Sequence, residues 1–195
     1  MTFKPHKHHK KVSDIRTPSR RRFLQVGLGA TAGLVMPNAF ANILKQPERK
    51  LSLLNLHTGE SINATYWAEG KYQTGELHAI NKILRDFRTG DVHKMDNDLI
   101  DLLNIMHHKL GTNKPFHVIS GYRSPKTNAA LSKNSSGVAK KSLHMQGKAI
   151  DIRVPGQRLS DLRKIALNLQ AGGVGFYPES DFIHLDTGRV RHWGA

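Results

Sequence analysis

Short apolar runs alternate along this chain with longer stretches of helical periodicity. Leu51-Ser52-Leu53-Leu54-Asn55-Leu56 reads as a strand, His57-Thr58-Gly59-Glu60 as a turn, and Ser61 to Trp67 as a returning strand. Leu77, Ile80, Leu84 and Phe87 then recur at helical spacing. So do Leu99, Leu102, Leu103, Met106 and Leu110, with Asp96 or Asn97 as the start and Gly111 as the stop. Both stripes are core packing. Phe116 to Ser120 predicts a short strand, and Ser124-Pro125 the opening of another helix. Residues 133–142 are rich in Ser, Lys and Gly and read as an exposed loop. Ala149 to Val154 alternates as a strand. Ser160 is the expected cap of a helix carrying Leu162, Ile165, Ala166 and Leu169, which Gly172-Gly173 ends. Val174 to Tyr177 and Phe182 to Asp186 are the last expected strands. The pattern predicts an α+β fold: a small antiparallel sheet flanked by helices.

Two of these strands carry residues that a half-buried strand has no packing use for. In Ala149–Val154, Ile150, Ile152 and Val154 take one face, and Ala149, Asp151 and Arg153 the other. In Phe182–Asp186, Ile183 and Leu185 face one way and His184 and Asp186 the other. Gly147 permits a tight turn that brings His144 back over the strand bearing Asp151. If the two strands are neighbours, His144, Asp151 and His184 converge. Two neutral imidazoles and one carboxylate leave a fourth tetrahedral position open, the pattern of a catalytic rather than a structural zinc site. Taken singly, each residue is better explained as a hydrogen-bonded core histidine or a strand-end acid; only the joint spacing points to metal. His107, His108, His117 and His192 have the donor atoms but no supporting spacing, and are read as non-ligands.

The same residues carry a resemblance. His144-x-x-Gly147-x-Ala149-x-Asp151 followed by His184 resembles the zinc-ligand pattern of the D-alanyl-D-alanine metallopeptidase and hedgehog-type superfamily. Ser120-Gly121-Tyr122-Arg123-Ser124, Val138-Ala139-Lys140-Lys141-Ser142 and Gly172-Gly173-Val174-Gly175-Phe176-Tyr177 are similar to its murein endopeptidase (MepK) branch. So are His184-Leu185-Asp186-Thr187-Gly188 and the ending Arg191-His192-Trp193. The similarity runs from about Leu51 to Trp193. It implies a periplasmic zinc peptidase, with one Zn2+ per chain, that cuts peptidoglycan cross-links, including those joining two diaminopimelate residues. It also implies that Arg123 holds a substrate carboxylate or the oxyanion, with Tyr122 and Ser142 beside it at the substrate; Ser142 otherwise caps its loop. Many relatives place the general base three residues before the last histidine, here Asp181. Asp186 shares a face with His184, and this facing argument favours Asp186 over Asp181 as base. The other reading of Asp186 is a carboxylate that accepts the second N–H of a zinc-bound imidazole. A carboxypeptidase on wall peptides, or a zinc-containing wall-binding module without catalysis, stands as the alternative.

Composition sharpens this picture at the N-terminus. The formal charge of +15 comes from 30 Lys and Arg against 15 acids. Residues 1–41 hold eight of these cations and a single acid, Asp14, so the remainder still carries +8. That balance suits a polyanionic partner, but no aromatic interleaving or recognition motif supports nucleic acid. There are no cysteines, hence no disulfide framework, thiolate site or cysteine nucleophile. Ser19-Arg20-Arg21-Arg22-Phe23-Leu24 looks like the twin-arginine export signature. The apolar run from Phe23 to Met36 falls short of the about 20 residues that span a bilayer, and Ala39-Phe40-Ala41 supplies an A-x-A cleavage pattern. Residues 1–41 are therefore expected to be a signal peptide and 42–195 the peptidase domain, with the twin-arginine machinery as the precursor's partner and no membrane span after processing. The early His6, His8 and His9 belong to the leader.

Overall fold

The computed structural model describes residues 45–134 and 137–194; the expected leader and its cleavage site lie outside them. The chain is α+β. Its strands are β1 (Glu48–Asn55), β2 (Ser61–Ala68), β3 (Lys71–Tyr72), β4 (Phe116–Ser120), β5 (Ala149–Arg153), β6 (Gly173–Tyr177), β7 (Phe182–Asp186) and β8 (Arg191–Trp193). Its helices are α1 (Thr74–Ile83), α2 (Asn97–Leu110), α3 (Pro125–Asn134) and α4 (Leu159–Leu169), and a short 3-10 turn spans Leu143–Gln146. Among the described residues no helix is long and apolar enough to cross a membrane.

The expectation of a small antiparallel sheet needs correction. All eight strands form one mixed sheet in the order β3-β2-β1-β4-β5-β7-β6-β8. Strands β1 and β4 run parallel because two helices separate them in sequence, which is the long crossover that parallel pairing requires. Strand β8 returns parallel to β6. Strands β3 and β8, of two and three residues, are too short to show a period.

Apolar positions decide how the layers meet. Leu51 and Leu53 of β1, Ala64 and Tyr66 of β2, and Phe116 and Val118 of β4 are buried against Leu99, Leu103 and Met106 of α2. Helix α2 is capped as its sequence predicts: the Asp96 carboxylate accepts the Asp98 N–H at 3.1 Å, and Gly111 closes the helix in the left-handed conformation. Two boundaries moved. Helix α1 stops at Ile83, not Phe87, because the Leu84 carbonyl accepts the Tyr122 N–H at 2.7 Å and Phe87 leaves the stripe to stack on His57. Helix α4 starts at Leu159, so Ser160 sits inside its first turn; Arg158 occupies the cap position without a side-chain bond.

One buried acid ties the α1–α2 connection to the segment that carries Arg123. Asp86 accepts the Ser124 N–H at 2.9 Å and the Arg88 N–H at 3.0 Å. Burial pushes its pKa up, but the Thr127 and Ser124 hydroxyls and those two N–H groups outweigh it and hold the carboxyl down at about 2. Asp86→Ala is expected to cost about 1–3 kcal/mol in urea unfolding at pH 7, since it orphans buried donors. Because the folded pKa is depressed, the wild-type advantage is full above the unfolded value near 3.8 and is lost as pH falls through about 2. A gap between wild type and variant that persists unchanged to pH 2 would contradict this.

Candidate functional site

Each member of the predicted trio is placed by a local device visible in the structure. The Ser142 hydroxyl caps the 3-10 turn by accepting the His144 N–H at 3.3 Å. Gly147 ends the turn with φ +66°, and a Cβ there would collide with the Lys94 carbonyl. The Gly147 carbonyl in turn accepts the Asp96 N–H at 2.9 Å, fastening the turn to the start of α2. Asp151 lies in the middle of β5, directly opposite His184 in the antiparallel ladder with β7. The two strands are neighbours, so the facing argument brings both side chains to one spot.

The ring nitrogens are sorted by their partners. The His144 Nδ1–H donates to the Gly121 carbonyl at 2.8 Å, which leaves the Nε2 lone pair aimed inward. The His184 Nε2–H donates to Asp186 Oδ2 at 3.0 Å, which leaves the Nδ1 lone pair aimed inward. His144 Nε2 stands 3.2 Å from His184 Nδ1. Asp151 Oδ1 lies 2.9 Å from His184 Nδ1 and 3.4 Å from His144 Nε2. The two inward nitrogens and the Asp151 oxygen therefore meet at one focus, and although burial lowers the His184 pKa, Asp151 and Asp186 outweigh it and raise it. A proton between His184 and Asp151, or a cation at the focus, suits this arrangement. Ligand atoms about 2.0–2.1 Å from a tetrahedral zinc stand about 3.3 Å apart, close to the spacing here. Among the described residues, His144, Asp151 and His184 are the trio whose ligand atoms all lie within 4.8 Å of one another. The donor set fits a divalent cation.

Burial raises the Asp151 pKa, but the His144 and then the His184 imidazole outweigh it and hold the carboxyl well below the usual range. Asp151 is thus an anion ready to ligate.

Asp186 has different surroundings. It is fully buried, with no solvent-accessible surface. Its Oδ1 accepts the Gly173 N–H at 3.0 Å, the Gly188 N–H at 2.8 Å and Arg191 Nη1 at 2.9 Å. Its Oδ2 accepts from His184 and from Arg191 Nη2 at 2.7 Å. Five donors occupy this carboxylate, and it stands behind His184 rather than in the cleft. Burial raises its pKa, yet His184, Arg191 and the two N–H groups outweigh that and hold it far below the usual range.

Asp181 lies in the turn before β7, at φ +52°. Alternation within the strand therefore does not govern it, and the argument that faced it away from His184 does not apply. Its exposed carboxylate pairs with Arg153 at 2.8 Å. Its neighbour Ser180 lines the cleft.

A cleft of about 530 Å3 opens over the trio. Arg123, Lys141 and Arg191 line it with positive charge, and Tyr177, Phe182 and Trp193 supply its aromatic wall. Arg123 is anchored through its backbone, whose N–H donates to the His144 carbonyl at 3.2 Å. Its guanidinium makes only long contacts, 3.4 Å to Asn128 and Ser120 and 3.8 Å to Asp151, and its buried Nε has no partner. Burial lowers its pKa, partly offset by Asp151. Ser142 both caps the turn and lines the cleft. Tyr122 is not brought to the cleft: its ring stacks on His93 with centroids 4.6 Å apart. Helix α3 runs into the stretch expected to be loop, and Val138, Ala139 and Lys141 beyond it form part of the cleft rather than a free surface. His107 stacks on Phe116 and bonds the Lys114 carbonyl, in keeping with its reading as a non-ligand.

Comparison with known proteins fits this geometry. The family model described as peptidoglycan L,D-endopeptidase MepK matches residues 44–193. The chain belongs to this family. It is 46% identical over 176 residues to the peptidoglycan L,D-endopeptidase MepK of Escherichia coli (strain K12), covering 90% of this chain and 97% of that protein. It is 39% identical over 177 residues to the probable peptidoglycan L,D-endopeptidase MepK of Haemophilus influenzae, covering 90% and 95%. The trio and the cleft lie wholly within the matched residues.

Sequence reasoning missed the roles of Arg191 and Trp193. Both sit on one face of β8, two residues apart, and that spacing was the available signal. The indole of Trp193 lies over Gly175, the residue that pairs with His184, and a Cβ at 175 would run into it. Its Nε1–H donates to the Tyr177 hydroxyl at 2.8 Å.

Zinc titration followed by elemental analysis should find about one ion per chain, as three-ligand sites hold. His144→Ala, Asp151→Ala and His184→Ala should each lose most of it while circular dichroism stays unchanged. Full metal content in all three variants would exclude the site.

Proposed function

We propose that this protein is a zinc-dependent murein endopeptidase that hydrolyses peptide cross-links of peptidoglycan in the periplasm, including links between two diaminopimelate residues. The observation that carries the reading is the convergence of His144 Nε2, His184 Nδ1 and Asp151 Oδ1, with both remaining ring nitrogens committed to fixed acceptors. Membership of a family whose relatives are named peptidoglycan L,D-endopeptidases supports the substrate class. A zinc ion held by the trio would supply Lewis acidity to a scissile carbonyl and to the attacking water.

The chain's own residues divide the remaining work. Arg123 has unspent donors over the trio and suits a substrate carboxylate or the developing oxyanion. Lys141 at the cleft adds charge for anionic stem peptides. Ser142 holds the turn that carries His144. Asp186, with both oxygens filled, suits the orientation of His184 and not proton transfer. Asp181, in the turn beside Ser180 and held only by an exposed ion pair, is the carboxylate free to swing toward the cleft and take the water's proton.

Two measurements test this. Purified protein with zinc, given defined cross-linked muropeptides, should release the two separated stems by mass spectrometry. Trimming of a terminal residue alone would instead indicate a carboxypeptidase, and no cleavage at full zinc occupancy a binding module. In the same assay Asp181→Asn should retain zinc and lose about 10²–10⁴-fold in rate. Asp186→Asn should act by weakening zinc about 10–100-fold and recover at excess zinc. An active Asp181→Asn, or a zinc-replete but dead Asp186→Asn, would reverse the two assignments.

The leader reading is also a proposal: export by the twin-arginine machinery, followed by processing near Ala41. Replacing Arg20 and Arg21 with Lys should leave precursor in the cytoplasm, because a receptor reads the address and not its charge. Normal export of the Lys-Lys form would overturn it.

A further inference from the structure

The cleft holds two arginines whose states differ. Arg123 makes no contact shorter than 3.4 Å through its guanidinium. Arg191 holds one carboxylate with both ends of its fork: Nη1 donates to Asp186 Oδ1 at 2.9 Å and Nη2 to Asp186 Oδ2 at 2.7 Å. Nη1 also donates to the Arg189 carbonyl at 3.0 Å, which closes the turn between β7 and β8. The guanidinium lies 4.9 Å from the Trp193 ring centroid, and that ring sits 5.2 Å from the His184 imidazole. A chain of fixed groups thus runs from β8 to the trio: Arg191 to Asp186, Asp186 to His184 Nε2, and His184 Nδ1 to the focus.

The fork determines which way Asp186 points. A carboxylate on a strand can rotate about its terminal torsion, and only one rotation presents Oδ2 to His184. The Gly173 and Gly188 N–H groups both bind Oδ1. Among the described residues Arg191 is the group that grips both oxygens at once, and its fork holds the carboxylate in that plane. It also supplies the positive charge that a fully buried anion needs next to it.

The geometry points to Arg191 as a positioning residue of this metal centre: it acts through Asp186 to fix the Nδ1-inward orientation of His184, and so makes the C-terminal strand β8 a working part of the site. The inference rests on the proposed metal reading. It predicts that a lysine, which keeps the charge but has no planar fork, will not substitute.

The test uses the full chain in three variants, Arg191→Lys, Asp186→Asn and the double substitution, with zinc affinity measured by competition against a chelator. Cobalt(II) substitution gives a second, spectroscopic readout of ligand geometry. Wild type must bind metal first; if it does not, the metal reading fails and the inference falls with it, whereas failure of the inference alone shows only in the variants. Given wild-type binding, Arg191→Lys should lose about 10-fold or more in zinc affinity and alter the cobalt visible spectrum. The double variant should bind no more weakly than Asp186→Asn alone, because the arginine acts only through that carboxylate. Thermal unfolding of the metal-free proteins separates positioning from folding: a lowered Tm with unchanged affinity and spectrum would mean that Arg191 merely stabilises the fold, and would overturn the inference. Additive losses in the double variant would overturn it as well.

Discussion

The site depends on one cross-strand pair. Asp151 of β5 stands directly opposite His184 of β7, and every other group is arranged around that register. A slip of one residue would turn both side chains to the other face. What prevents the slip is the apolar half of the same strands: Ile150, Ile152, Ile183 and Leu185 are all buried at 1% exposure or less, beneath the helices. Packing on one face therefore holds chemistry on the other.

That arrangement concentrates two ring nitrogens and a carboxylate oxygen in a small volume. Each imidazole has its outer nitrogen fixed by an acceptor, a carbonyl for His144 and a carboxylate for His184, so each presents its second nitrogen inward. Asp151 and Asp186 favour a proton on His184 in this arrangement, and a bound cation would take that proton's place, as metal binding commonly releases protons.

The legibility of this site in the sequence followed from period two. Strand alternation put Asp151 on one face of β5 and His184 with Asp186 on one face of β7, and the structure joins the two strands. The Gly147 turn was legible because a positive φ is a local requirement of that residue. Three things were not. The mixed sheet was hidden because the parallel pairing of β1 with β4 is set by helices that intervene, not by either strand's residues. The placement of Asp181 was not fixed, because alternation holds only within a strand and the structure puts residue 181 in the turn before β7. Tyr122 adjoins Arg123 in sequence, but its ring goes to His93, and adjacency along the chain does not set where a side chain packs.

Two carboxylates, Asp186 fully buried and Asp101 half-buried, show why enclosure alone does not identify a functional acid. Asp101 of α2 accepts from Arg49 at 2.9 Å and from the Tyr66 and Tyr72 hydroxyls at 2.8 Å each. Burial first, and Asp101 beside it, push the Tyr72 phenol up to about 12, so the cluster stays un-ionised on the tyrosine side across the ordinary pH range. Its bonds end on side chains of β1, β2 and β3, and its effect is to fasten α2 to that edge of the sheet. Asp186 is held by an arginine and neighbouring N–H groups in much the same way, but its last bond ends on an imidazole whose other nitrogen faces Asp151 and His144. A buried ion pair contributes little net stability compared with apolar groups of the same shape. In both places the pair fixes geometry instead. At Asp101 the object fixed is a helix; at Asp186 it is a lone pair, and only a lone pair with a definite direction can bind a metal.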